Sequence, residues 1–171
     1  MSKLRRALEE DQLAGRQGEY IEDVFCKRSA LLPTIFYENE HFMFVYDKYP
    51  IIRGHMLIIP KRHVEDVINL DAEEWESLRQ LKDHALPIAL KRYCGESISY
   101  NVAIQIGEHS GREIDHLHMH ILPRASDDPF QGDSRKLYGN IVDRGERHDP
   151  SGVEEEVKAL RKLFRYTQKK Q

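Results

Sequence analysis

The sequence predicts an α+β fold in which an antiparallel sheet is joined by one long helix and a C-terminal helical extension. Three strand patterns come first and a helical pattern follows. Two more strand patterns come next, and a second helical pattern follows them. Because strands and helices do not alternate regularly, a parallel sheet of βαβ units is not expected. The length of 171 residues suits one domain with extensions.

The strands are predicted from short apolar runs between turn residues. Aromatic and β-branched side chains flank a polar tip at residues 38–40, which indicates two paired strands. The predicted strands are two within residues 35–47, one over 55–60, one over 98–105 and one over 115–122.

Two longer helices are predicted from apolar residues at helical spacing. Asp71 and Glu74 have the spacing of an N-terminal capping box, and a helix over 71–93 follows, with a kink or break expected at Pro87. A second helix is predicted over 150–167. The remaining predictions are short helical segments over 3–14 and 17–32 and irregular chain over 106–113 and 124–149.

The composition excludes several classes of function. The net charge of -3 provides no overall positive field for nucleic acid. The sequence contains no apolar run near the ~18 residues that a membrane span requires. Cys26 and Cys94 are far apart and provide no disulfide framework, so we expect free thiols and a cytoplasmic location.

The stretch DHLHMHILP, residues 115–123, concentrates three of the nine histidines. Side chains alternate between the two faces of a strand, so His116, His118 and His120 are predicted on one face, which we expect to be open, with the apolar residues between them on the core face. Histidines at this spacing can bind a metal. No carboxylate follows His120 before Asp127, however, which weakens the interpretation as a metal site. A neutral imidazole that attacks phosphorus fits better, with His118 as the central candidate.

This stretch resembles the pattern His-φ-His-φ-His-φ-φ of the histidine triad (HIT) family, where φ is apolar. The upstream segment RGHMLIIPKRHVEDVINLDAEE is similar to the strand, loop and helix of the same family. The resemblance covers residues 35–125. It implies a HIT domain there, an N-terminal extension over 1–34 and a C-terminal extension over 126–171 that packs on the same domain.

HIT proteins are nucleotide hydrolases and transferases, so the resemblance implies roles for individual residues. His118 would attack the α-phosphorus and form a covalent nucleotidyl-histidine, which water or phosphate then releases. His116 would orient it, and His120 would contact phosphate. His55 occupies the position of the fourth family histidine, and Asp47 that of an acidic or amide residue that binds the ribose hydroxyls.

Further site residues lie between the last two predicted strands. Gln105 is similar to a glutamine of the fragile-histidine-triad branch, which hydrolyses dinucleoside polyphosphates, and would bond a phosphate oxygen or the leaving group. Gly111 belongs to a glycine loop whose N–H groups suit an anion. Glu113 stands where relatives carry a hydroxyl on the phosphate, and a carboxylate there repels the substrate unless Arg112 compensates.

The resemblance leaves several alternatives open. Dinucleoside polyphosphate phosphorylases, nucleoside phosphoramidases and nucleotide-binding proteins with little catalysis have similar layouts. We expect a nucleotide partner, no nucleic acid, no membrane, and a homodimer in which the helix over 71–93 makes the usual contact. Within that helix, Trp75, Leu78 and Leu81 are expected in the core or the dimer interface.

No resident cofactor is expected, although a divalent metal ion could accompany the nucleotide. Some bacterial relatives bind zinc through a Cys-x-x-Cys pair. Here Ser29 follows Cys26 at that spacing, and His63 stands near another ligand position of those relatives. With one thiol missing, the sequence predicts no zinc.

Overall fold

Five strands form one antiparallel sheet in this computed structural model, which describes residues 23–130, 132–142 and 149–168. The strands are β1 (Ile35–Glu38), β2 (Phe42–Tyr46), β3 (Met56–Pro60), β4 (Tyr100–Ile104) and β5 (Met119–Pro123). Their order is β1-β2-β3-β5-β4, and every neighbouring pair is antiparallel. The last strand along the chain therefore lies between β3 and β4. The predicted α+β class and antiparallel sheet are confirmed.

The helices occupy the long connections and the C-terminal part of the chain. They are α1 (Arg28–Leu31), α2 (Ala72–Gln80), α3 (Leu86–Cys94), α4 (Ser134–Val142) and α5 (Val153–Gln168). A π turn over Leu81–Ala85 joins α2 to α3. None of the helices in the described ranges is both long and apolar enough to cross a membrane.

The helix predicted over 71–93 is present, with a change of winding in its middle. The capping box of Asp71 and Glu74 begins it, as the sequence predicts. Pro87 lies in the first turn of α3 and has no N–H to donate, so a regular α-helical bond is missing one turn earlier. The π turn coincides with this missing bond. The expected kink at Pro87 is thus a wide turn that directly precedes α3.

The two faces of the sheet are covered differently. The helices α2, α3 and α5 cover one face, and Val157, Leu160 and Phe164 of α5 are buried there as the predicted apolar stripe requires. On the opposite face, Phe25 and Leu31 pack over β1, β2 and β3. The side chains that pack α4 over β5 and the loop before β3 are Leu137, Ile141, Leu122, Ile51 and Ile52. The second face therefore has two separate covers.

Several predicted elements differ from those observed. The strand predicted over 115–122 begins only at Met119, because the N–H of Leu117 donates to the carbonyl of Val64 at 2.6 Å instead of joining the sheet. The segment predicted irregular over 124–149 contains α4, whose few apolar residues give a weak helical pattern. The short helix predicted over 17–32 is reduced to α1 within the described residues. The helix predicted over 3–14 lies outside them.

Trp75 does not join the core. Its side chain is 47% exposed, whereas Leu81 on the same predicted stripe is fully buried and Leu78 packs at the margin of the core. Of the two predicted places for Trp75, the core and a dimer interface, the structure excludes the core, and the interface stays a prediction. The aromatic ring lies on the outer side of α2 because the helix turns its buried Glu74 and Ser77 toward the fold instead.

The start of α2 is expected to depend strongly on Glu74. This buried carboxylate accepts bonds from the N–H of Asp71 at 3.0 Å and from Arg62 Nε and Nη2 at 2.9 and 2.7 Å. Replacing Glu74 with alanine leaves these donors without their acceptor and should lower the free energy of unfolding by about 2 kcal/mol. Urea denaturation measures this loss. Glu73→Ala, an exposed change in the same turn, should cost only tenths of that, and equal losses would contradict the assignment.

Candidate active site

The histidine segment crosses the second face of the sheet, between its two covers. His116 and His118 precede β5, and His120 lies on β5 between Leu57 of β3 and Ala103 of β4. Leu117, Met119 and Ile121 are buried in the core beneath the helices. The predicted separation of three histidines from three apolar residues is therefore confirmed, although only His120 lies within the strand itself.

The His118 imidazole has a defined tautomer. Its Nδ1 lies 2.7 Å from the carbonyl oxygen of His116, and a carbonyl can only accept, so Nδ1 carries the proton. The lone pair is consequently on Nε2. Burial lowers the pKa of His118, because loss of hydration disfavours the charged ring. The bond to the His116 carbonyl raises the pKa, but by less. The ring is thus neutral and nucleophilic at neutral pH.

His118 is less accessible than the sequence suggested. We expected the histidine face to be open, but the His118 residue is only 7% exposed. The edge of the Phe25 ring lies against it, with ring centroids 5.2 Å apart. The expectation of an open face overlooked the segment before α1, whose apolar side chains fold back over the sheet.

His55 and His120 form a hydrogen-bonded pair. The N–H of Ile51 donates to His55 Nδ1 at 3.3 Å, so the proton of His55 is on Nε2. That Nε2–H lies 2.9 Å from His120 Nδ1 and donates to it. The proton of His120 is consequently on its own Nε2. The ring of His120 lies 5.1 Å from that of His118, so a nucleophilic lone pair and a ring N–H donor occupy neighbouring rings.

Asp47 lies at the margin of this pair. Its Oδ2 is 3.6 Å from His55 Nδ1, and its Oδ1 accepts the N–H of Tyr49 at 2.7 Å. The backbone N–H of Asp47 in turn donates to the carbonyl of His55 at 2.9 Å. These bonds hold the carboxylate next to the histidines, where the sequence placed it by resemblance.

His116 has two acceptors and belongs to a second cluster. Its Nε2 donates to the carbonyl of Pro60 at 2.9 Å, and its Nδ1 lies 2.5 Å from Asp23 Oδ2. Burial alone would raise the pKa of Asp23, but the N–H of Phe25 and the charge of His116 outweigh it and lower that pKa. Asp23 is therefore a carboxylate that fixes the orientation of His116.

Four side chains of this cluster could hold a metal ion: Asp23, Cys26, His63 and His116. The Cys26 sulfur lies 3.5 Å from Asp23 Oδ2 and 3.6 Å from Nδ1 of each of the two histidines. Nδ1 of His63 is 3.2 Å from Asp23 Oδ2. Tetrahedral zinc with bonds of about 2.0–2.3 Å separates its ligand atoms by roughly 3.3–3.7 Å. The donor set and most of its spacings therefore fit zinc.

The bond from His116 to Pro60 supports the same conclusion. Histidines that bind a metal with one nitrogen usually donate the other N–H to a carbonyl or carboxylate, which fixes the ring. His116 already makes that bond through Nε2, which directs Nδ1 into the cluster. The short contact between Nδ1 and Asp23 would open by less than about 1 Å to admit the ion.

A second trio of Asp47, His55 and His120 is also close enough to bind a metal, but its chemistry does not fit. Both nitrogens of His55 already serve in hydrogen bonds, one to Ile51 and one to His120. A metal ion on either nitrogen would break the chain that fixes the His120 proton. We therefore derive no metal role for this trio.

The four predicted loop residues, Gln105, Gly111, Arg112 and Glu113, lie together after β4. Gln105 Nε2 donates to the carbonyl of Ser110 at 3.2 Å, and Gly111 adopts a left-handed conformation with φ of 80°. Arg112 donates to Glu65 Oε2 at 3.0 Å and lies 2.8 Å from Asp115 Oδ1. Glu113 is exposed. In this structure Arg112 thus neutralises carboxylates of the protein.

Sequence reasoning missed three residues of the site: Asp23, Phe25 and the N–H donor Ile51. The sequence predicted no zinc because Ser29 stands three residues after Cys26, where a second thiol would be needed. The residue that joins Cys26 lies three positions before it, so the pattern Asp-Val-Phe-Cys carried the signal. Ile51 could not be found from residue type, because its contribution is a backbone N–H.

Comparisons with known proteins agree with this geometry. The profile of the HIT domain matches residues 31–127. A bis(5'-adenosyl)-triphosphatase from Dictyostelium discoideum is 31% identical over 130 residues, which cover 76% of this chain and 85% of that protein. Protein hit of Bacillus subtilis is 35% identical over 59% of this chain and 70% of its own length. The crystal structure of a zinc-bound histidine triad family protein from Mycobacterium smegmatis superposes with a TM-score of 0.61, at 27% identity over 88% of this chain and 99% of that one.

Proposed function

Because this chain belongs to the HIT domain family, we propose that it cleaves a dinucleoside polyphosphate, such as diadenosine tri- or tetraphosphate, at the α-phosphorus. The observation that carries the proposal is the tautomer of His118, whose Nδ1–H is bonded to a carbonyl so that Nε2 offers its lone pair. The similarity to a bis(5'-adenosyl)-triphosphatase supports this class of substrate.

The proposed reaction has two displacements at phosphorus. His118 Nε2 forms a bond to the α-phosphorus, and the bond from that phosphorus to the bridging oxygen breaks, so the remaining nucleotide leaves with the electron pair. The Nδ1 proton stays bonded to the His116 carbonyl and spreads the positive charge of the adduct. Water then attacks the same phosphorus, the P–N bond breaks, and nucleoside monophosphate and one proton are released.

Neighbouring residues would stabilise the charge that develops in this reaction. His120 Nε2–H is a donor for a phosphoryl oxygen, because its other nitrogen is occupied by His55. Asp47 is a carboxylate acceptor that suits the two ribose hydroxyls of the nucleotide. Gln105, Gly111 and Arg112 are proposed for the leaving group side, where Arg112 must first exchange a carboxylate for phosphate.

A substrate panel tests this proposal. Diadenosine tri- and tetraphosphate should be cleaved to adenosine monophosphate and the complementary nucleotide without added phosphate. A requirement for inorganic phosphate would identify a phosphorylase, and preferred cleavage of adenosine phosphoramidate would identify a phosphoramidase. Tight nucleotide binding without turnover of any of these compounds would refute an enzymatic role and favour a nucleotide-binding function.

We also propose that Asp23, Cys26, His63 and His116 hold one zinc ion with a structural role. The ligand spacings support it, as does the similarity to a zinc-bound protein of the same family. Zinc would supply a charge that ties the segment before α1 to the histidine segment. The chemistry of the reaction is assigned to His118 and its neighbours and needs no step at the metal.

Metal content should therefore depend on Cys26. The purified chain should contain about one zinc ion, and Cys26→Ala should lose it and unfold at a lower temperature, since structural zinc contributes directly to folding. Elemental analysis and thermal unfolding measure both effects. Cys94→Ala, which removes the other cysteine, should keep the zinc. A wild-type chain without stoichiometric zinc after expression with zinc would contradict the proposal.

The homodimer stays a prediction. The exposed apolar side chains of the described surface include Tyr100, Val102 and Ile104 on the edge strand β4, besides Trp75 on α2. Edge strands with such side chains are commonly covered by a partner. The contact is thus proposed at β4 as well as at the helix over 71–93, and the molar mass from light scattering tests whether a dimer forms.

A further inference from the structure

The loop from Pro50 to His55 contains both residues that determine which ring nitrogen of His55 carries the proton, Ile51 and His55 itself. It supplies the N–H of Ile51, which donates to His55 Nδ1, and it supplies His55 itself. Any displacement of this loop would move the Nε2–H that His55 directs at His120. Contacts that fix the position of this loop therefore affect the N–H of His120, the donor beside His118.

The C-terminal helix α5 holds one side of this loop through a single carboxylate. Glu156 Oε1 accepts from Arg53 Nε at 2.9 Å. Its Oε2 accepts from Arg92 at 2.7 and 3.0 Å and from the hydroxyl of Tyr93 at 3.2 Å. Burial would raise the pKa of Glu156, but the bonds from Arg92 and Arg53 outweigh it and lower that pKa, so the carboxylate is charged.

Gly54, between Arg53 and His55, packs closely against Tyr93 and bonds to Tyr46. Gly54 has φ of 85°, and a Cβ atom there would lie 2.7 Å from the ring of Tyr93. Its N–H donates to the hydroxyl of Tyr46 at 2.8 Å. The guanidinium group of Arg53 also lies 5.7 Å from the centre of the Tyr93 ring. The ring of Tyr93 therefore packs against the loop at Arg53 and Gly54, and Glu156 accepts hydrogen bonds from both Tyr93 and Arg53.

The side of the loop that faces α4 is packed by apolar contacts. Ile51 and Ile52 are buried against Leu137 and Ile141 of α4 and against Leu122 of β5. Apolar packing limits the position of these side chains but does not select a direction for an N–H. Among the described residues of α4 and α5, Glu156 provides the directional contact to the loop, through Arg53.

From these contacts we infer that Glu156 is a positioning residue, which acts through Arg53 and the loop to keep His55 in the tautomer that donates to His120. The inference rests on the proposed function for its effect on rate, but not for its effect on the tautomer. It assigns the C-terminal extension a part in the active site although α5 lies on the opposite face of the sheet.

The test uses the full chain with Glu156→Gln, which keeps the size of the side chain and removes its charge. The matched control is Glu154→Gln, since Glu154 lies on the same helix and pairs only with the exposed Lys158 in the described structure. Long-range ¹H–¹⁵N spectra of the histidine rings report which nitrogen of His55 carries the proton. Steady-state kinetics report kcat and KM, and urea denaturation confirms that each variant is folded.

Glu156→Gln should shift part of His55 to the other tautomer and lower kcat about tenfold with little change in KM, because a misplaced donor acts mainly on the transition state. Arg53→Gln should reproduce both effects, and the double variant should be no worse than either single one. Arg53→Gln is an exposed change that replaces Glu156→Gln in the test if the latter does not fold.

The spectra separate this inference from the proposed function. A wild-type chain that cleaves no nucleotide would refute the function, while the shift of the His55 tautomer would still support a positioning role. Unchanged His55 spectra in folded Glu156→Gln and Arg53→Gln would overturn the inference even if the wild type is an active hydrolase. An equal shift in Glu154→Gln would also overturn it, because the effect would then belong to helix charge in general.

Discussion

Replacing His118 with alanine is expected to lower kcat for diadenosine triphosphate by about 10⁴-fold or more, since the variant loses the nucleophile and can form no nucleotidyl intermediate. The fold should survive, because the ring makes one backbone bond and two ring contacts, with Phe25 and His120. Circular dichroism and urea denaturation check the fold. Rapid mixing of the wild type with substrate, followed by an alkaline quench that preserves P–N bonds, should reveal one nucleotidyl group on His118 by mass spectrometry.

The matched control for this loss is His84→Ala, which removes an exposed histidine from the π turn and should leave kcat unchanged. Added imidazole should restore part of the activity of His118→Gly by occupying the vacated space and attacking phosphorus itself. A folded His118→Ala variant that keeps a tenth of the wild-type kcat would refute a covalent role for His118. In that case the neutral imidazole would serve to bind phosphate or to activate water.

The sequence predicted most of the fold because its strongest patterns are local. Strand alternation placed Leu117, Met119 and Ile121 in the core, and the capping box of Asp71 and Glu74 fixed the start of a helix. The helix α4 was missed because its stability comes from contacts of two side chains with residues far away in the sequence. Local periodicity contains no information about such contacts.

The site was predictable to the extent that it depends on residue type. His118, His120, His55 and Asp47 were predicted from type and resemblance, and the structure brings the last three within metal-ligand distance of one another. The partner of His116 was not, because Asp23 reaches it only when the chain before α1 folds back over the sheet. The proton positions also depend on carbonyl and N–H groups of the backbone, which every sequence has.

Replacing His120 with alanine is the second large effect, and we expect kcat to fall by about 10²–10³-fold with a smaller change in KM. Loss of one preorganised donor to a developing anionic charge has effects of that size. The donor depends on the position of a proton: His120 can donate from Nε2 because Nδ1 accepts the proton of His55. His109→Ala, a change in the loop after β4, is the control and should keep kcat.

His55 separates a donor role of His120 from simple packing. In His55→Ala the His120 proton can reside on either nitrogen, so kcat should fall about tenfold to a hundredfold, as a fraction of the molecules lacks the donor. Once His120 is alanine, removing His55 as well should cost little more, because its contribution passes through the missing ring. A double-mutant cycle measures this coupling. Losses that simply multiply would mean that His55 acts on the substrate independently, through its contact with Asp47, and that the proton chain does not control the donor.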